Sequence, residues 1–355
     1  MSGSFKDSFR QPNAGATSRR RMLIRADAGG SMGFGHFVRM CALAGYLKDD
    51  FEVSFCSRNP DGIGLSDWQR RQISEAEARW IEIPTSDMEE FNRGFLTLVD
   101  NDTSVVLDNY YYNTDYQTRV RERARTLICI DDMHDRHFTA DAVMTFLPLF
   151  RHQFSLEPYT RFFAGPQWSF LRAPFLEPAA PRHNAGISRI VMAMGGADPL
   201  NLTVKVLSAI LKGTPQTFVD VIAGDTVKVG TGSTERVAIH RRLDADGIRA
   251  LLDNADLGVF PASTICVEAF SRHLPVAAGH FVDNQEEFYA RGVEKGWFLP
   301  LGDLRDPEEV IAGRLHRIVN MPAISAPDFD FISQRDNIIT LFNELHDCGR
   351  TFGQP

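Results

Sequence analysis

The stretch that decides the fold runs Met22-Leu23-Ile24-Arg25-Ala26-Asp27-Ala28-Gly29-Gly30-Ser31-Met32-Gly33-Phe34-Gly35-His36. Its first part is an apolar strand. Its second part is a glycine-rich turn. Apolar residues then recur at helical spacing through Phe37, Val38, Met40, Cys41, Leu43, Ala44 and Leu47. Strand, glycine turn and helix together form an anion-binding geometry. Glycines let the backbone approach a ligand, and the first N–H groups of the helix face it at the positive end of the dipole. Here the turn also carries an imidazole, which points to chemistry on a phosphate-bearing or oxyanion-forming substrate. The same geometry also fits a plain tight turn with a helix-capping His.

Outward from this turn, short apolar runs alternate with helical patterns. Strands are expected at Met22–Ala26, Glu52–Cys56, Trp80–Ile83, Ser104–Leu107, Thr126–Ile130 and Ala142–Thr145, with helices at Phe37–Leu47, Glu89–Val99 and Asp115–Ala124. Such alternation predicts βαβ units around a parallel sheet. The pattern blurs between about Phe150 and Ala185, where Pro158, Pro166, Pro174, Pro178 and Pro181 break regular structure. That stretch reads as the end of one domain and a linker. The alternation restarts at Ile190–Met194 and continues through Phe218–Ile222, Val237–Ile239, Leu257–Phe260, Val276–Ala278 and Trp297–Leu299. The boundaries expected are an extension over 1–20, a first Rossmann-like domain over 21–172, a linker over 173–188, a second Rossmann-like domain over 189–325, and a C-terminal helical segment over 326–355 that packs back on the first domain. Two such sheets form a cleft at the C-terminal ends of their strands, where ligands bind in this class.

Composition excludes several classes. At 355 residues, 43% hydrophobic and 24% charged, the chain is that of a globular protein. A net charge of −8, without a basic stripe, excludes a nucleic-acid footprint. Five scattered cysteines (Cys41, Cys56, Cys129, Cys266 and Cys348) read as thiols in a reducing, cytoplasmic compartment. No apolar run approaches the ~20 residues of a membrane span. Residues 1–20 lack an apolar signal core and read as a disordered extension.

Further site candidates sit at strand ends. Asp108-Asn109-Tyr110 follows the run Val105-Val106-Leu107. Asp131-Asp132 ends the next strand, with His134, Asp135 and His137 close behind. Carboxylates beside imidazoles suit a metal, but this spacing matches no compact ligand motif, so no metal is expected. These carboxylates instead position a substrate or orient His36. In the second half, Gly195-Gly196-Ala197-Asp198 closes a strand and opens a helix, where its backbone meets a pyrophosphate or Asp198 caps the helix. Ser263 and Thr264 start another helix with hydroxyl and N–H donors suited to phosphate. Glu268 follows one turn later, within reach of two ribose hydroxyls or simply solvated. Asn284-Gln285 opens a further helix, its amides touching ligand or capping.

In this order, the motifs Arg25-Ala26-Asp27, Met32-Gly33-Phe34-Gly35-His36-Phe37-Val38-Arg39, Asp131-Asp132 with His137 and Asp141, Gly195 to Asp198, Ser263 to Glu268, and Asn284-Gln285 resemble the UDP-2,4-diacetamido-2,4,6-trideoxy-β-L-altropyranose hydrolases of pseudaminic acid synthesis. The resemblance spans about residues 22–302. It implies a GT-B-like α/β fold of two doubly wound parallel-sheet domains with an interdomain cleft, related to the glycosyltransferase that makes lipid II. It implies cleavage of a UDP-linked deoxy amino sugar with water as acceptor, without metal or cofactor, by a monomer or weak oligomer that feeds surface or flagellar glycans.

By resemblance, His36 is the general base, a task imidazole suits near neutral pH. Arg25, Asp27, Gly33, Gly35, Arg39, Asp108, Asn109, Tyr110, Asp131 and Asp132 lie around the sugar. Gly195, Gly196, Asp198, Ser263, Thr264, Glu268, Asn284 and Gln285 hold the nucleotide. The chain departs from the family pattern at Asn109, where the family carries His, and at Met144–Pro148, which replaces an Asn-rich segment. Two rivals use the same residues: a glycosyltransferase, marked by an apolar acceptor groove near the first domain, and a non-catalytic nucleotide-sugar-binding protein.

Overall fold

The computed structural model describes residues 19–28, 34–58, 65–108, 110, 112–182, 186–196, 198, 200–225, 227 and 235–349. The expected contacts of Gly33 and Asn109 lie outside them.

The first unit contains β1 (Arg20–Arg25), α1 (Gly35–Leu47), β2 (Phe51–Cys56), α2 (Asp67–Glu75), β3 (Arg79–Trp80), α3 (Met88–Leu96), β4 (Thr103–Asp108), α4 (Thr114–Arg121), β5 (Thr126–Ile130), β6 (His137–Phe138), β7 (Ala142–Thr145), β8 (Ser155–Leu156) and β9 (Arg161–Ala164). Seven of these strands form a parallel sheet in the order β3-β2-β1-β4-β5-β7-β9. Successive side chains of a strand point to opposite faces. Met22 and Ile24 accordingly enter one core with Phe37 and Leu43 of α1, while Leu23 enters another with Phe91 and Phe95 of α3. Both faces are covered, so a run such as Thr103–Asp108 is buried along its whole length.

The second unit contains β10 (Arg189–Ala193), α5 (Leu202–Gly213), β11 (Phe218–Ile222), β12 (Val237–His240), α6 (Ala245–Asn254), β13 (Leu257–Pro261), α7 (Thr264–Ser271), β14 (Val276–His280), α8 (Asp283–Glu294), β15 (Phe298–Asp303) and α9 (Glu308–Val319). Its six strands are parallel in the order β12-β11-β10-β13-β14-β15. In both sheets the strand order reverses next to the first strand, which creates the crevice where α/β folds bind ligands.

A last helix, α10 (Gln334–Asp347), lies on the first unit. Ile338, Leu341, Phe342 and Leu345 join the core beneath α1. Thr126 Oγ1 donates to the Leu345 carbonyl at 2.8 Å, and Ser104 Oγ lies 2.8 Å from His346 Nδ1. The units also meet ring to ring, Phe146 against Phe288 at 5.1 Å. Two segments differ from their sequence reading, the first being the strand expected at Trp80–Ile83, which pairs with β2 only over Arg79–Trp80. The second, Arg161–Ala164, between Pro158 and Pro166, forms the edge strand β9 beside β7 instead of ending the domain in loop. Proline is tolerated at such edges and just outside them. Among the described residues, no helix is long and apolar enough to cross a membrane.

Candidate active site

The first strand-turn-helix positions the imidazole. Phe34 precedes α1 without a side-chain cap, so the helix start keeps its own donors. His36 and Arg39 stand three residues apart and share one face of α1. That face meets the C-terminal end of β4, where Asp108 is fully buried. His36 Nδ1 lies 2.7 Å from Asp108 Oδ1. Arg39 Nε donates to Asp108 Oδ2 at 2.6 Å, and its Nη2 donates to Oδ1 at 2.5 Å. Burial by itself raises the titration of Asp108, but Arg39 and His36 outweigh it and hold the carboxyl at about 2. Arg39 Nη2 also lies 2.9 Å from His36 Nδ1, so Nδ1 faces an acceptor in Asp108 and a donor in Arg39; the tautomer in which Nδ1 donates to Asp108 leaves Nε2 unprotonated. The Tyr110 ring packs edge-on against the imidazole, with centroids 4.6 Å apart. Burial, and then Asp132, push the Tyr110 phenol upward, so it stays a neutral hydroxyl.

The acidic pair after β5 divides its work. Asp131 Oδ1 accepts from the Met133 and His134 backbone N–H groups at 3.0 and 2.6 Å. Burial, and secondarily the adjoining Asp132, push its titration up to about 6. Asp132 Oδ2 lies 3.4 Å from Arg39 Nη1. Its Oδ1 is buried with no hydrogen-bond partner among the described residues, an arrangement natural proteins seldom leave idle. Among the described residues, no three His, Cys, Asp or Glu side chains converge as a metal site.

Arg25 and Asp27 lie away from this surface. Both are fully buried. The Arg25 guanidinium lies over the Phe91 and Tyr112 rings at 4.5 and 4.8 Å, donates to Asn92 and Tyr116, and pairs with Asp27 at 3.4 Å. Asp27 also accepts from the Arg58 backbone at 3.0 Å. The two residues brace the loop ends beside the turn and do not present donors to a ligand.

Between the units opens a cavity of about 700 Å³. Gly35 and Arg39, on either side of His36 in sequence, line it. From the second unit come Gly196, Thr264, Ile265 and Glu268. Gly195 adopts φ +94°, open to glycine at no steric cost. A Cβ on Gly224 would fall 1.9 Å from the Gly196 carbonyl oxygen, so only glycine lets these two loops close on each other. Asp198 takes the capping alternative: its carboxylate accepts from the Leu202 and Thr203 N–H groups at 2.7 and 2.9 Å. The start of α5 is thereby filled by a carboxylate. The start of α7 differs. Ser263 provides no side-chain cap, its hydroxyl turning to the Pro261 carbonyl, and Thr264 reaches the cavity.

Glu268 is partly exposed to the cavity but not free. Arg172 grips it with two bonds of 2.8 Å each. Arg172 lines the same cavity and escaped the sequence reading, because it lies in the proline-broken stretch where periodicity fails. Asn284 donates its side-chain amide to the Tyr110 hydroxyl at 3.1 Å, joining the second unit to the ring that packs on His36. Gln285 is mostly buried, and its Oε1 accepts from the Phe281 backbone at 3.0 Å.

No protein-family model matches the chain. Over 290 residues it is 23% identical to an uncharacterised protein of Methanocaldococcus jannaschii, MJ1062. That alignment covers 76% of this chain and 57% of the relative, so the chain spans less than two thirds of the relative's length. Solved structures are similar across nearly the whole chain. The calicheamicin glycosyltransferase CalG4 superposes with a TM-score of 0.56 at 12% identity, covering 93% of this chain and 95% of its own. MurG of Acinetobacter baumannii gives 0.55 at 13%, covering 92% and 99%. A UDP-N-acetylglucosamine 2-epimerase assigned in Listeria monocytogenes gives 0.54 at 10%, covering 93% and 97%. With the two parallel sheets and the cleft between them, these likenesses show the GT-B fold.

Proposed function

We propose that this chain is an enzyme that cleaves a UDP-linked deoxy amino sugar to free sugar and UDP, with His36 as the general base toward water. The carrying observation is the bond from His36 Nδ1 to a buried, ionised Asp108 that Arg39 holds with two donors. In this reading Nδ1 donates to Asp108, and the carboxylate supports the imidazolium once it forms. Nε2 takes a proton from water, the water oxygen bonds to the anomeric carbon, and the carbon–oxygen bond to the diphosphate breaks with its electron pair leaving on UDP.

Thr264 and the uncapped start of α7 suit the diphosphate, where N–H groups and the dipole stabilise leaving charge. Glu268 suits the ribose even while paired. A carboxylate offers about four acceptor positions, and Arg172 uses two. The orphaned Asp132 Oδ1 suits a hydroxyl or amide N–H of the sugar. Water as acceptor is supported by the ordered motifs shared with the pseudaminic-acid nucleotide-sugar hydrolases. The GT-B neighbours include a glycosyltransferase, and in this chain the same base would serve a transfer by deprotonating an acceptor hydroxyl. The reading places the enzyme in the cytoplasm, without metal or cofactor.

The test is incubation with a panel of UDP- and GDP-sugars, following nucleotide release and free sugar by NMR. UDP-sugars turning over to free sugar support the reading. A panel bound but never cleaved would favour a nucleotide-sugar-binding protein instead.

A further inference from the structure

One helix of the second unit reaches the base network at two points. Asn284 and Phe288 stand four residues apart on α8, so they share one face of that helix. That face meets the first unit. The Asn284 side-chain amide donates to the Tyr110 hydroxyl at 3.1 Å, and the fully buried Phe288 packs edge to face on Phe146 at 5.1 Å. Each contact leads one step further. The Tyr110 ring stands edge-on to the His36 imidazole at 4.6 Å. The Phe146 ring lies 6.0 Å from the Arg39 guanidinium. His36 and Arg39 are the two side chains that close on Asp108. One face of α8 thus backs both partners of the buried carboxylate, each through one aromatic ring.

Tyr110 is held at both ends. Its carbonyl accepts from Arg136 Nη1 at 2.9 Å within the first unit, and its hydroxyl is tied to the second. The neighbouring Gln285 turns back to the Phe281 backbone, so of this amide pair Asn284 is the one that crosses between the units. We propose that Asn284 is a positioning residue for the base: acting through the Tyr110 ring, it sets the His36 imidazole against Asp108. The inference rests on His36 acting as base on a UDP-sugar. It departs from the resemblance, which puts Asn284 on the nucleotide and Tyr110 on the sugar; here the two spend their polar groups on each other. A base backed from both units is aligned while the units keep this arrangement, which ties proton removal to an assembled cleft.

The experiment compares the whole chain with Asn284→Ala, Tyr110→Phe and the double variant, circular dichroism checking each fold. Tyr110→Phe keeps the ring and removes the hydroxyl. Calorimetry gives UDP affinity, steady-state kinetics give kcat and KM for a UDP-sugar the wild type cleaves, and NMR follows the His36 ring protons, assigned by the signals lost in His36→Gln. Each single variant should lower kcat about three- to tenfold, the scale of one hydrogen bond, with KM within about twofold. The double variant should fall no more than about twofold below either single one, because both remove the same bond. UDP affinity should stay within about twofold, and the His36 ring signals should move in both single variants. His36 signals that stay in place in Asn284→Ala overturn the inference. So does a larger loss of UDP affinity, which would put Asn284 on the nucleotide. Losses that multiply in the double variant overturn it, as does a Tyr110→Phe effect confined to KM, which would put the hydroxyl on the sugar. These outcomes leave the His36 reading intact. A wild type that cleaves no UDP-sugar defeats that reading, and the inference with it.

Discussion

The two halves share one architecture and treat charge in opposite ways. In the first, Asp108 is fully buried, and His36 and Arg39 are nearly so, each locked to the same carboxylate. In the second, the polar groups at the ligand end stay accessible: α7 begins without a side-chain cap, and the Arg172–Glu268 pair lines the open cavity. A buried network holds its geometry before any substrate arrives, at a desolvation cost. An accessible one adapts to a ligand and costs little when empty. In the proposed reading, this difference matches chemistry in the first half and nucleotide binding in the second.

The most damaging way to break this contrast is Asp108→Ala. It strands the buried Arg39 and should cost about 3–5 kcal/mol of stability, as uncompensated buried charges do. Urea unfolding measures it, and a loss under 1 kcal/mol would mean the network is not structural. In the second half, Glu268→Ala should spare the fold and weaken UDP binding by about 1.5–3 kcal/mol, the scale of charge-assisted hydrogen bonds. The loss should be far smaller for 2′,3′-dideoxy-UDP, which lacks the partner hydroxyls. Equal losses for the two ligands would remove Glu268 from the ribose.

Asp131 sharpens the electrostatic side. Its carboxyl is pushed up to about 6, so the folded state holds a proton that the unfolded chain releases near 4. The stability this gives is complete below pH 4 and is lost as pH rises through 6. Asp131→Asn keeps the oxygen that accepts from Met133 and His134 and removes the charge. From pH 3.5 to 7.5 its stability should therefore gain on wild type by roughly 2–3 kcal/mol. A constant difference across that range would show that Asp131 titrates normally. The smallest expected effect is none: excess EDTA should leave cleavage unchanged, and chelator-sensitive turnover restored by a divalent ion would return the Asp131–His137 segment to consideration as a ligand set.

Much of this contrast was legible in the sequence, and the missing parts share a cause. The glycine turn, the buried run ending in Asp108 and the helix after Pro261 are local patterns, so the strands and the switch-point loops could be read from them. Partnerships across long separations could not. Asp108 was read as facing the sugar, but Arg39, 69 residues away, claims both its oxygens. Arg25 and Asp27 look like loop-facing polar residues until the rings of α3 and α4 close around the guanidinium. Glu268 has no sequence signal that reveals Arg172, 96 residues earlier in a stretch without periodicity. β9 was hidden because four residues between prolines are too few for a pattern to show.

The most direct test of the central claim compares His36→Gln with wild type in two measurements on one preparation: UDP affinity by calorimetry and the rate of UDP release from a UDP-sugar the wild type cleaves. The account predicts UDP affinity within about twofold and turnover lower by roughly 10²–10⁴-fold, the range for a general base. A variant that keeps more than a tenth of the wild-type rate with UDP still bound would contradict it.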